Sequence, residues 1–216
     1  MARQFVVIGL GRFGSSVAET LAERGYDVLA IDNDEALVQE MANKVTHAVQ
    51  ADATDEGAMH ALGVRNFDVA VVAIGTDVHA NILTTMILKE LGVRYVVAKA
   101  LDPLHGKVLA KVGADRVVYP ERDMGSRIAL NLISSNILDF IEFAPNYSIV
   151  EVMVAESMVG KTPVELQFRS RFGVNVIAVR HGDEMNISPA ASDELVEGDV
   201  LVVIGENASL DRLKRM

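Results

Sequence analysis

The sequence contains no cysteine, no long apolar run and no excess of positive charge. Without cysteine, the chain has no disulfide framework, no thiol chemistry and no cysteine-ligated metal, which suits the cytoplasm. Its longest apolar runs, Val69–Ile74 and Phe5–Ile8, have the length of β-strands, whereas a membrane span needs about 20 apolar residues. We therefore expect no membrane-spanning segment. We also expect no signal peptide, because Phe5–Ile8 leads directly into a glycine loop.

The charge balance excludes one large class of partners. Lys and Arg number 20 against 30 Asp and Glu, which gives a formal net charge of −10. Such a surface repels the phosphates of nucleic acids, and no basic stripe offsets it, so we expect no nucleic-acid partner. At 216 residues, half of them apolar, the chain has room for one large globular domain or for a medium and a small one.

Hydrophobic periodicity alternates along the first part of the chain between β-branched runs and helical spacing. This pattern is typical of βαβ units around a parallel sheet. The six predicted strands are Phe5–Ile8, Val28–Ile31, His47–Val49, Val69–Ala73, Val96–Ala98 and Val117–Tyr119. The predicted helices between them are Phe13–Arg24, Glu35–Asn43, Glu56–Leu62, Val78–Leu91 and Leu104–Val112. We predict the α/β class, a Rossmann-like, doubly wound parallel sheet that ends near Pro120.

After Pro120 the pattern changes. We predict a helix over Asp123–Phe143, with Ser134–Asn136 as the place where it would break, and a hinge at Pro145–Asn146. Beyond the hinge, a small α+β module is predicted, with a short helix from Pro163 and strands at Ile149–Val154, Val174–Val179, Glu184–Ile187 and Val200–Ile204. The sequence thus predicts a Rossmann domain at residues 1–122, a crossover helix and hinge at 123–145, and the small module at 146–216.

A GxGxxG pattern, Gly9-Leu10-Gly11-Arg12-Phe13-Gly14, joins the first strand to the first helix. Its first glycine permits a tight turn, the second lets a phosphate approach the backbone, and the third lets helix and strand pack closely. The N-terminus of the helix offers unpaired N–H groups to phosphates. Asp32, at the end of the second strand, can accept hydrogen bonds from the adenosine ribose and repels the 2′-phosphate of NADP. We predict binding of NAD or another adenine nucleotide; the alternative is a structural turn with a solvated aspartate.

Further polar residues follow the neighbouring strands at the same edge of the sheet. Asp52-Ala53-Thr54 follows the third strand, Ile74-Gly75-Thr76 follows the fourth, and Lys99 ends the fifth. Ligands of open α/β sheets bind at this edge, so we expect these residues to line one pocket. Asp52 could also cap the next helix, and Lys99 could be solvated. Arg12 suits the terminal phosphate of a triphosphate, with a solvated arginine as the alternative.

The sequence lacks a recognisable catalytic constellation. Tyr95 and Lys99 match the spacing of a short-chain dehydrogenase pair, but their run is β-branched and predicts a strand, whereas the pair requires a helix. Neither metal-ligand spacing nor a partnered nucleophile accompanies the histidines, which are His47, His60, His79, His105 and His181. We therefore expect no enzyme. An NAD-dependent oxidoreductase of small substrates is the alternative, and oxidation of bound NADH by a carbonyl compound would distinguish it.

Seven segments also carry a family resemblance. They are Phe5–Gly14, Ala30–Asp32, Ala51–Asp55, Val72–Gly75, Leu83–Gly92 and Val112–Gly125, with Phe168–Arg180 in the small module. Together they resemble the RCK family (regulators of potassium conductance), specifically the cytoplasmic subunits of Ktr/Trk-type bacterial potassium uptake systems. The resemblance extends over essentially the whole chain.

The resemblance implies a non-enzymatic sensor that binds ATP, ADP or NAD(H) and gates a separate membrane potassium translocator. It implies a location on the inner face of the cell membrane, held there by that partner. It also implies a homo-oligomer, from a dimer to an octameric ring. In the family, Asn33 and Asp34 join Asp32 at the ribose, and Ala100, Leu101 and His105 line the pocket together with the residues already named.

Glu121 is similar to a family glutamate that binds a divalent cation, Mg²⁺ or Ca²⁺, between subunits. The resemblance places this cation beside the terminal phosphate of ATP, which Arg12 would contact. The alternative role of Glu121 is to cap the helix after Pro120, where a carboxylate is favourable.

The C-terminal module resembles family members that bind cyclic di-AMP across a dimer interface. In this chain Arg169 and Arg171 could contact its phosphates, while Asn175 and Pro189 could frame a base. Solvated arginines beside a dimer strand are the alternative.

The sequence itself also favours self-association. Each Rossmann unit carries apolar helix faces, such as Ile82, Met86 and Ile87, that we expect one chain to leave uncovered. The predicted helix after Pro120 is a natural crossover onto a partner subunit. We expect at least a dimer.

Overall fold

A computed structural model describes residues 3–133 and 137–213 of the chain. It divides the chain into two compact units, unit 1 (residues 1–122) and unit 2 (residues 123–216). Each has its own sheet and its own apolar core.

The sheet of unit 1 has six parallel strands. They are β1 (Gln4–Ile8), β2 (Asp27–Asp32), β3 (His47–Gln50), β4 (Val69–Val72), β5 (Tyr95–Lys99) and β6 (Arg116–Val118), in the spatial order β3-β2-β1-β4-β5-β6. Val7 of β1 pairs with Ala30 of β2 on one side and with Val71 of β4 on the other. The strand order reverses between β1 and β4, and open α/β sheets bind ligands at this switch point. The predicted doubly wound sheet is confirmed.

Five helices connect these strands at the predicted positions. They are α1 (Arg12–Glu23), α2 (Glu35–Met41), α3 (Glu56–Ala61), α4 (Val78–Glu90) and α5 (Pro103–Lys111). Glycines follow four of them in the left-handed conformation, as at Gly25 and Gly92 with φ values of 81° and 88°. A residue with a β-carbon is strained at such a φ, which explains why glycine ends these helices.

Helices cover both faces of the sheet. Val6 and Ile8 of β1 enter one core cluster with residues of α4, while Val7 enters a second cluster with residues of α1 and α2. This alternation follows from the two-residue period of a strand. Since both faces are buried, β1 reads as a continuous apolar run.

The expected uncovered face on α4 was wrong for Ile87, whereas Ile82 and Met86 are half-buried. Ile87 is only 4% exposed and belongs to the core cluster, and Ile82 packs against the same cluster. The helix is apolar on most of its surface because the chain itself buries it between strands and neighbouring helices.

Unit 2 contains an antiparallel sheet of five strands. They are β7 (Ile137–Ala144), β8 (Tyr147–Met153), β9 (Val174–His181), β10 (Glu184–Asn186) and β11 (Val200–Glu206), in the spatial order β10-β9-β11-β8-β7. Its helices are α7 (Pro163–Leu166) and α8 (Asn207–Leu213), with a π-helical turn at Phe168–Phe172. A small α+β C-terminal module is therefore confirmed, and α8 and β7 are additions to the predicted elements.

The predicted long crossover helix was wrong in its second half. Helix α6 covers Pro120–Ile133, and β7 then pairs with β8 as a hairpin. The predicted hinge at Pro145–Asn146 is the turn of this hairpin, where Asn146 has a φ of 65°. Asparagine tolerates this left-handed conformation better than most residues. The predicted break, Ser134–Asn136, lies outside the described residues.

Candidate functional site

A cavity of about 520 Å³ opens at the carboxyl ends of the strands of unit 1. It lies at the switch point between β1 and β4, where the connections leave the sheet in opposite directions. Residues from the loops after β1 to β5 line it, and Glu121 of α6 completes it: Ile8, Gly9, Gly11, Arg12, Phe13, Asp32, Asn33, Asp34, Leu37, Ala51, Asp52, Ala53, Thr54, Ala73, Ile74, Gly75, Thr76, Asp77, Ala80, Lys99 and Glu121.

The three glycines of the loop meet different constraints. A β-carbon on Gly14 would lie 1.8 Å from the carbonyl oxygen of Gly9, and one on Gly9 would lie 2.7 Å from the amide nitrogen of Ile74. Close packing within the chain thus requires glycine at both positions. A β-carbon on Gly11 would meet no protein atom within 4 Å. Packing does not explain that glycine, but it leaves the backbone at the cavity open to a ligand.

The N-terminus of α1 differs from those of the next four helices. The helices α2, α3, α4 and α5 are capped by the carboxylates of Asp34, Asp55, Asp77 and Asp102, which accept hydrogen bonds from first-turn amides. Helix α1 follows Gly11, which has no side chain to cap it, and its first turn contains no acidic residue. Its N–H groups and the positive end of its dipole therefore remain available to an anion in the cavity.

Asp32 is fixed beside this helix start by two backbone amides. Its Oδ2 accepts a hydrogen bond from the amide of Leu10 at 2.6 Å, and its Oδ1 accepts one from the amide of Asp34 at 2.9 Å. Each carboxylate oxygen can accept a second hydrogen bond. The carboxylate is therefore held in place and keeps capacity for a pair of hydroxyl groups such as those of a ribose.

Asp52 forms hydrogen bonds with Thr54 and does not cap a helix. Its Oδ1 accepts hydrogen bonds from the hydroxyl and the amide of Thr54, at 2.7 and 2.8 Å, and these bonds lower the pKa of the carboxyl. The cap of α3 is Asp55. The alternative that Asp52 caps α3 was therefore wrong, and Asp52 stays at the wall of the cavity as a charged group.

The two cations of the cavity have different surroundings. Lys99 is 8% exposed, and its Nζ lies 2.5 Å from Oε1 of Glu121 and 5.9 Å from the ring centre of Phe13. The hydrogen bond from Lys99 lowers the pKa of Glu121. Arg12 is exposed and forms no ion pair with any residue that the structure describes. Lys99 is thus a paired, buried cation, and the alternative of a solvated Lys99 was wrong.

The structure brings most of the predicted site residues to this cavity. Outside its lining lie Gly14, which packs against Gly9, and Ala100, Leu101 and His105. His105 is 4% exposed; its Nδ1 accepts a hydrogen bond from the amide of Leu101 at 3.3 Å, which places its proton on Nε2. That Nε2 has no partner among the described residues, and burial lowers the pKa of the imidazole.

Sequence reasoning missed one residue that shapes the cavity. Asn81 of α4 is fully buried, and its side-chain Nδ2 donates hydrogen bonds to the carbonyls of Ile74 at 2.6 Å and Lys99 at 3.0 Å. Asn81 thereby ties the ends of β4 and β5 together beneath the cavity. A polar residue within an apolar helical run was the available signal. The cavity lining also includes residues not predicted, among them Leu37, Ala51, Asp77 and Ala80.

The donor set suits a nucleotide better than a metal bound by the chain alone. In the described residues, no group of three or more histidine, aspartate or glutamate side chains is placed to hold a metal ion. Glu121 as a cation ligand therefore needs further oxygens from a phosphate or from a second subunit, and this role stays a prediction. The open backbone at Gly11, the uncapped α1 and the fixed Asp32 together fit the phosphates and the ribose of a nucleotide.

A second cavity, of about 540 Å³, lies in unit 2. Arg169, Asn175 and Pro189, which we predicted for a second ligand, all line it. The Nε of Arg169 donates a hydrogen bond to Oδ1 of Asn175 at 2.8 Å. Arg171 does not line this cavity; its guanidinium lies 5.2 Å from the ring centre of Phe172.

The fold and the first cavity define a class of protein, a Rossmann-type nucleotide-binding domain followed by a small α+β module. Comparison with known proteins identifies the family. Residues 5–120 match the TrkA-N domain model and residues 149–216 match the TrkA-C domain model. The chain therefore belongs to the RCK family.

Relatives over the full length are components of potassium uptake. The chain is 45% identical to Ktr system potassium uptake protein C of Bacillus subtilis, over 100% of this chain and 97% of that protein. It is 42% identical to protein A of the same system in that organism, over 98% of this chain and 96% of that protein. Among solved structures, the GsuK channel bound to NAD matches 99% of this chain and 39% of that one, at 20% identity and a TM-score of 0.69.

Proposed function

We propose that this chain is the cytoplasmic regulatory subunit of a potassium uptake system, which binds ATP, ADP or NAD(H) and thereby gates a separate membrane translocator. Its full-length similarity to Ktr potassium uptake proteins supports the potassium system. None of the helices in the described ranges is long and apolar enough to cross a membrane. A membrane-embedded partner would then provide the path for the ion, and this chain would lie against its inner face.

One observation carries the nucleotide half of the proposal. The uncapped N-terminus of α1 and the fixed carboxylate of Asp32 face the same cavity. Phosphates bind at the first, and ribose hydroxyls bind at the second, which is how dinucleotide-binding folds divide these tasks. The GsuK channel, a protein of the same fold, has been solved with NAD bound.

The charges of the cavity support a role for a divalent cation with ATP. Five carboxylates line it against two cations, Arg12 and Lys99, and Lys99 is already paired with Glu121. A triphosphate would add more negative charge to this surplus. Mg²⁺ or Ca²⁺ prefers carboxylate and phosphate oxygens, so such an ion would relieve the repulsion between Glu121 and the terminal phosphate. Arg12 would contact that phosphate directly.

The lining of the cavity favours a sensor over an enzyme. No histidine, tyrosine or serine is among the described residues that line it. The acid and base candidates that remain are the five carboxylates and Lys99, which is already paired with Glu121. Full-length similarity to Ktr potassium uptake proteins supports the sensor. We therefore assign the cavity to regulation rather than to hydride transfer.

Helix α6 supports the proposed homo-oligomer, from a dimer to a ring of eight. Met124, Ile128 and Leu132 recur every four residues on one face of the helix and are 51%, 51% and 81% exposed. Residues four apart on a helix form a continuous stripe, and exposed apolar stripes of this kind mark interaction surfaces. A second copy of the chain is the occupant that we propose.

We further propose cyclic di-AMP as a ligand of the cavity in unit 2. Three residues that line this cavity suit such a ligand. Arg169 would contact a phosphate, while Asn175 and Pro189 would frame a base through amide hydrogen bonds and an apolar contact. The experiment is calorimetric titration of cyclic di-AMP into the full-length protein and into Arg169→Ala. Binding that Arg169→Ala weakens supports the site, whereas absence of binding to the wild type, or equal binding to both, removes it.

Calorimetry also tests the nucleotide site. ATP, ADP, NAD⁺ and NADH are titrated into the wild type with EDTA and with Mg²⁺ or Ca²⁺. We expect binding of adenine nucleotides, tighter ATP binding with a divalent cation, and loss of the preference for ATP over ADP in Arg12→Ala. Absence of binding by all four nucleotides would contradict the proposal.

Measurement of potassium flux tests the second part of the proposal, that this chain gates a membrane translocator. The membrane subunit of the system is reconstituted in vesicles with the wild type or with a nucleotide-binding variant, and uptake is compared between ATP and ADP. We expect the wild type to respond to the exchange of nucleotide and the variant to lose that response. Equal flux under all conditions would show that this chain binds nucleotide without gating.

A further inference from the structure

We propose that the Lys99–Glu121 ion pair is an exchangeable latch: phosphate groups of a nucleotide in the cavity take Lys99 from Glu121 and release the carboxylate at the start of α6. This inference rests on the proposed nucleotide binding. It adds the step by which an occupied cavity acts on the helix that follows the sheet.

Lys99 lies where the phosphates are expected. It is the last residue of β5, and its Nζ is 5.9 Å from the ring centre of Phe13, the second residue of α1. A β-carbon on Gly75 would lie 3.4 Å from the same Nζ. The ammonium group therefore sits between the loop after β4 and the uncapped start of α1, which offers its N–H groups to a phosphate.

The two partners differ in their access to water, and this difference decides which one moves. The side chain of Lys99 is 10% exposed, whereas that of Glu121 is 68% exposed. A buried ammonium without a partner is strongly unfavourable, so Lys99 needs an anion at all times. Glu121 can turn into water at little cost. An incoming phosphate can replace Glu121 beside Lys99, and the displaced carboxylate becomes solvated.

The exchange reaches α6 directly. Glu121 is the second residue of this helix, which begins at Pro120 and continues to Ile133. Unit 1 ends at Arg122, so the helix leads from unit 1 into unit 2 along the chain. While the latch is closed, the first turn of α6 is tied to the end of β5; once phosphate holds Lys99, that tie is gone. Glu121 is then available to other cations. One residue would thus pair with Lys99 while the cavity is empty and with another cation while a nucleotide is bound.

A double-mutant cycle measured by nucleotide binding tests the exchange. Affinities for ATP and ADP are determined in EDTA for wild type, Glu121→Gln, Lys99→Met and the double variant. Glu121→Gln removes the competitor, so we expect nucleotide to bind roughly three- to tenfold more tightly. In the Lys99→Met background there is no latch to open, and we expect Glu121→Gln to change the affinity less than about twofold at physiological salt.

Simple repulsion between Glu121 and the phosphates gives a different result. Glu121→Gln would then tighten binding by the same factor in both backgrounds. A ratio below about 1.5 between the factor in the wild-type background and the factor in the Lys99→Met background, or weaker binding by Glu121→Gln in EDTA, overturns the latch. Glu90→Gln is the matched control, because this exposed glutamate ends α4 outside the cavity lining and should leave affinity unchanged.

Adenosine separates failure of the latch from failure of the site. It lacks phosphate, so all four proteins should bind it equally if their folds are intact. Should Lys99→Met fail to fold, Lys99→Gln takes its place in the cycle. If the wild type binds neither adenosine nor any nucleotide, the proposed function fails; if the wild type binds nucleotide and the two factors agree, only the latch fails.

Discussion

At the scale of single residues, Asp32 connects the fold to the proposed ligand. Its carboxylate is held by the amides of Leu10 and Asp34, so it is positioned before a ribose arrives. Hydrogen bonds to a charged acceptor contribute about 1.5–3 kcal/mol each. We therefore expect Asp32→Ala to weaken ATP, ADP and NADH alike, by at least about tenfold in calorimetry. Asp27→Ala, on the same strand but outside the cavity lining, is the control. Unchanged affinity in Asp32→Ala would contradict the ribose assignment.

A second residue-scale prediction concerns pH. Burial lowers the pKa of His105 below its ordinary value of 6.5, so the imidazole stays neutral to a lower pH in the native state than in the unfolded chain. Below about pH 6.5 the unfolded chain takes up a proton that the native state does not, and stability falls with pH until the lower native pKa is reached. We expect His105→Gln to lose less stability than the wild type between pH 7.5 and pH 5.5, as measured by urea unfolding. Exposed His79→Gln should keep the wild-type slope, and an unchanged slope in His105→Gln would contradict this account.

The same scale shows which site residues a sequence reveals. Asp32, Asp52 and Gly75 could be placed because the carboxyl ends of parallel strands always meet at one edge. The pairing of Lys99 with Glu121, and the bonds from Asn81 to two strand ends, could not be placed. They join residues 22 and 18 positions apart through side-chain geometry that no local pattern encodes.

At the scale of elements, the sequence predicts unit 1 better than the segment after it. Alternating strand and helix periods, with a glycine after four of the five helices, specify α1 to α5 with little ambiguity. The segment from Pro120 to Phe143 contains apolar residues that fit either period. Its second half becomes β7 because it pairs with β8 across a tight turn, a tertiary contact that outweighs local helical preference.

Helix α6 carries the element-scale prediction. If its stripe of Met124, Ile128 and Leu132 packs against a second copy, a charge at the centre of the stripe is unfavourable in the dimer and harmless in the monomer. We expect light scattering to show at least a dimer for the wild type at micromolar concentration, and a smaller assembly for Ile128→Asp. Ser126→Asp adds the same charge on the opposite side of the helix and should keep the wild-type mass. A monomeric wild type would contradict the interface.

At the scale of the whole molecule, a nucleotide cavity in unit 1 precedes a separate small unit, and one helix leads from the first to the second. A ligand can shift an equilibrium between conformations only by its different affinity for them. Under the proposed function, Arg12, the Lys99–Glu121 pair and the surplus of carboxylates would distinguish ATP from ADP by the charge at the phosphate end. Such a difference is what a gating subunit needs.

The most direct test of the central claim is amide hydrogen exchange of the full-length protein with and without saturating ADP or ATP. Bound phosphates and ribose should occupy the amides at the start of α1 and order the loop after β2. The account predicts slower exchange in peptides covering Gly9–Gly14 and Asp32–Asp34, with no comparable change in α3. Protection confined to other parts of the chain, with these two loops unaffected, would contradict it.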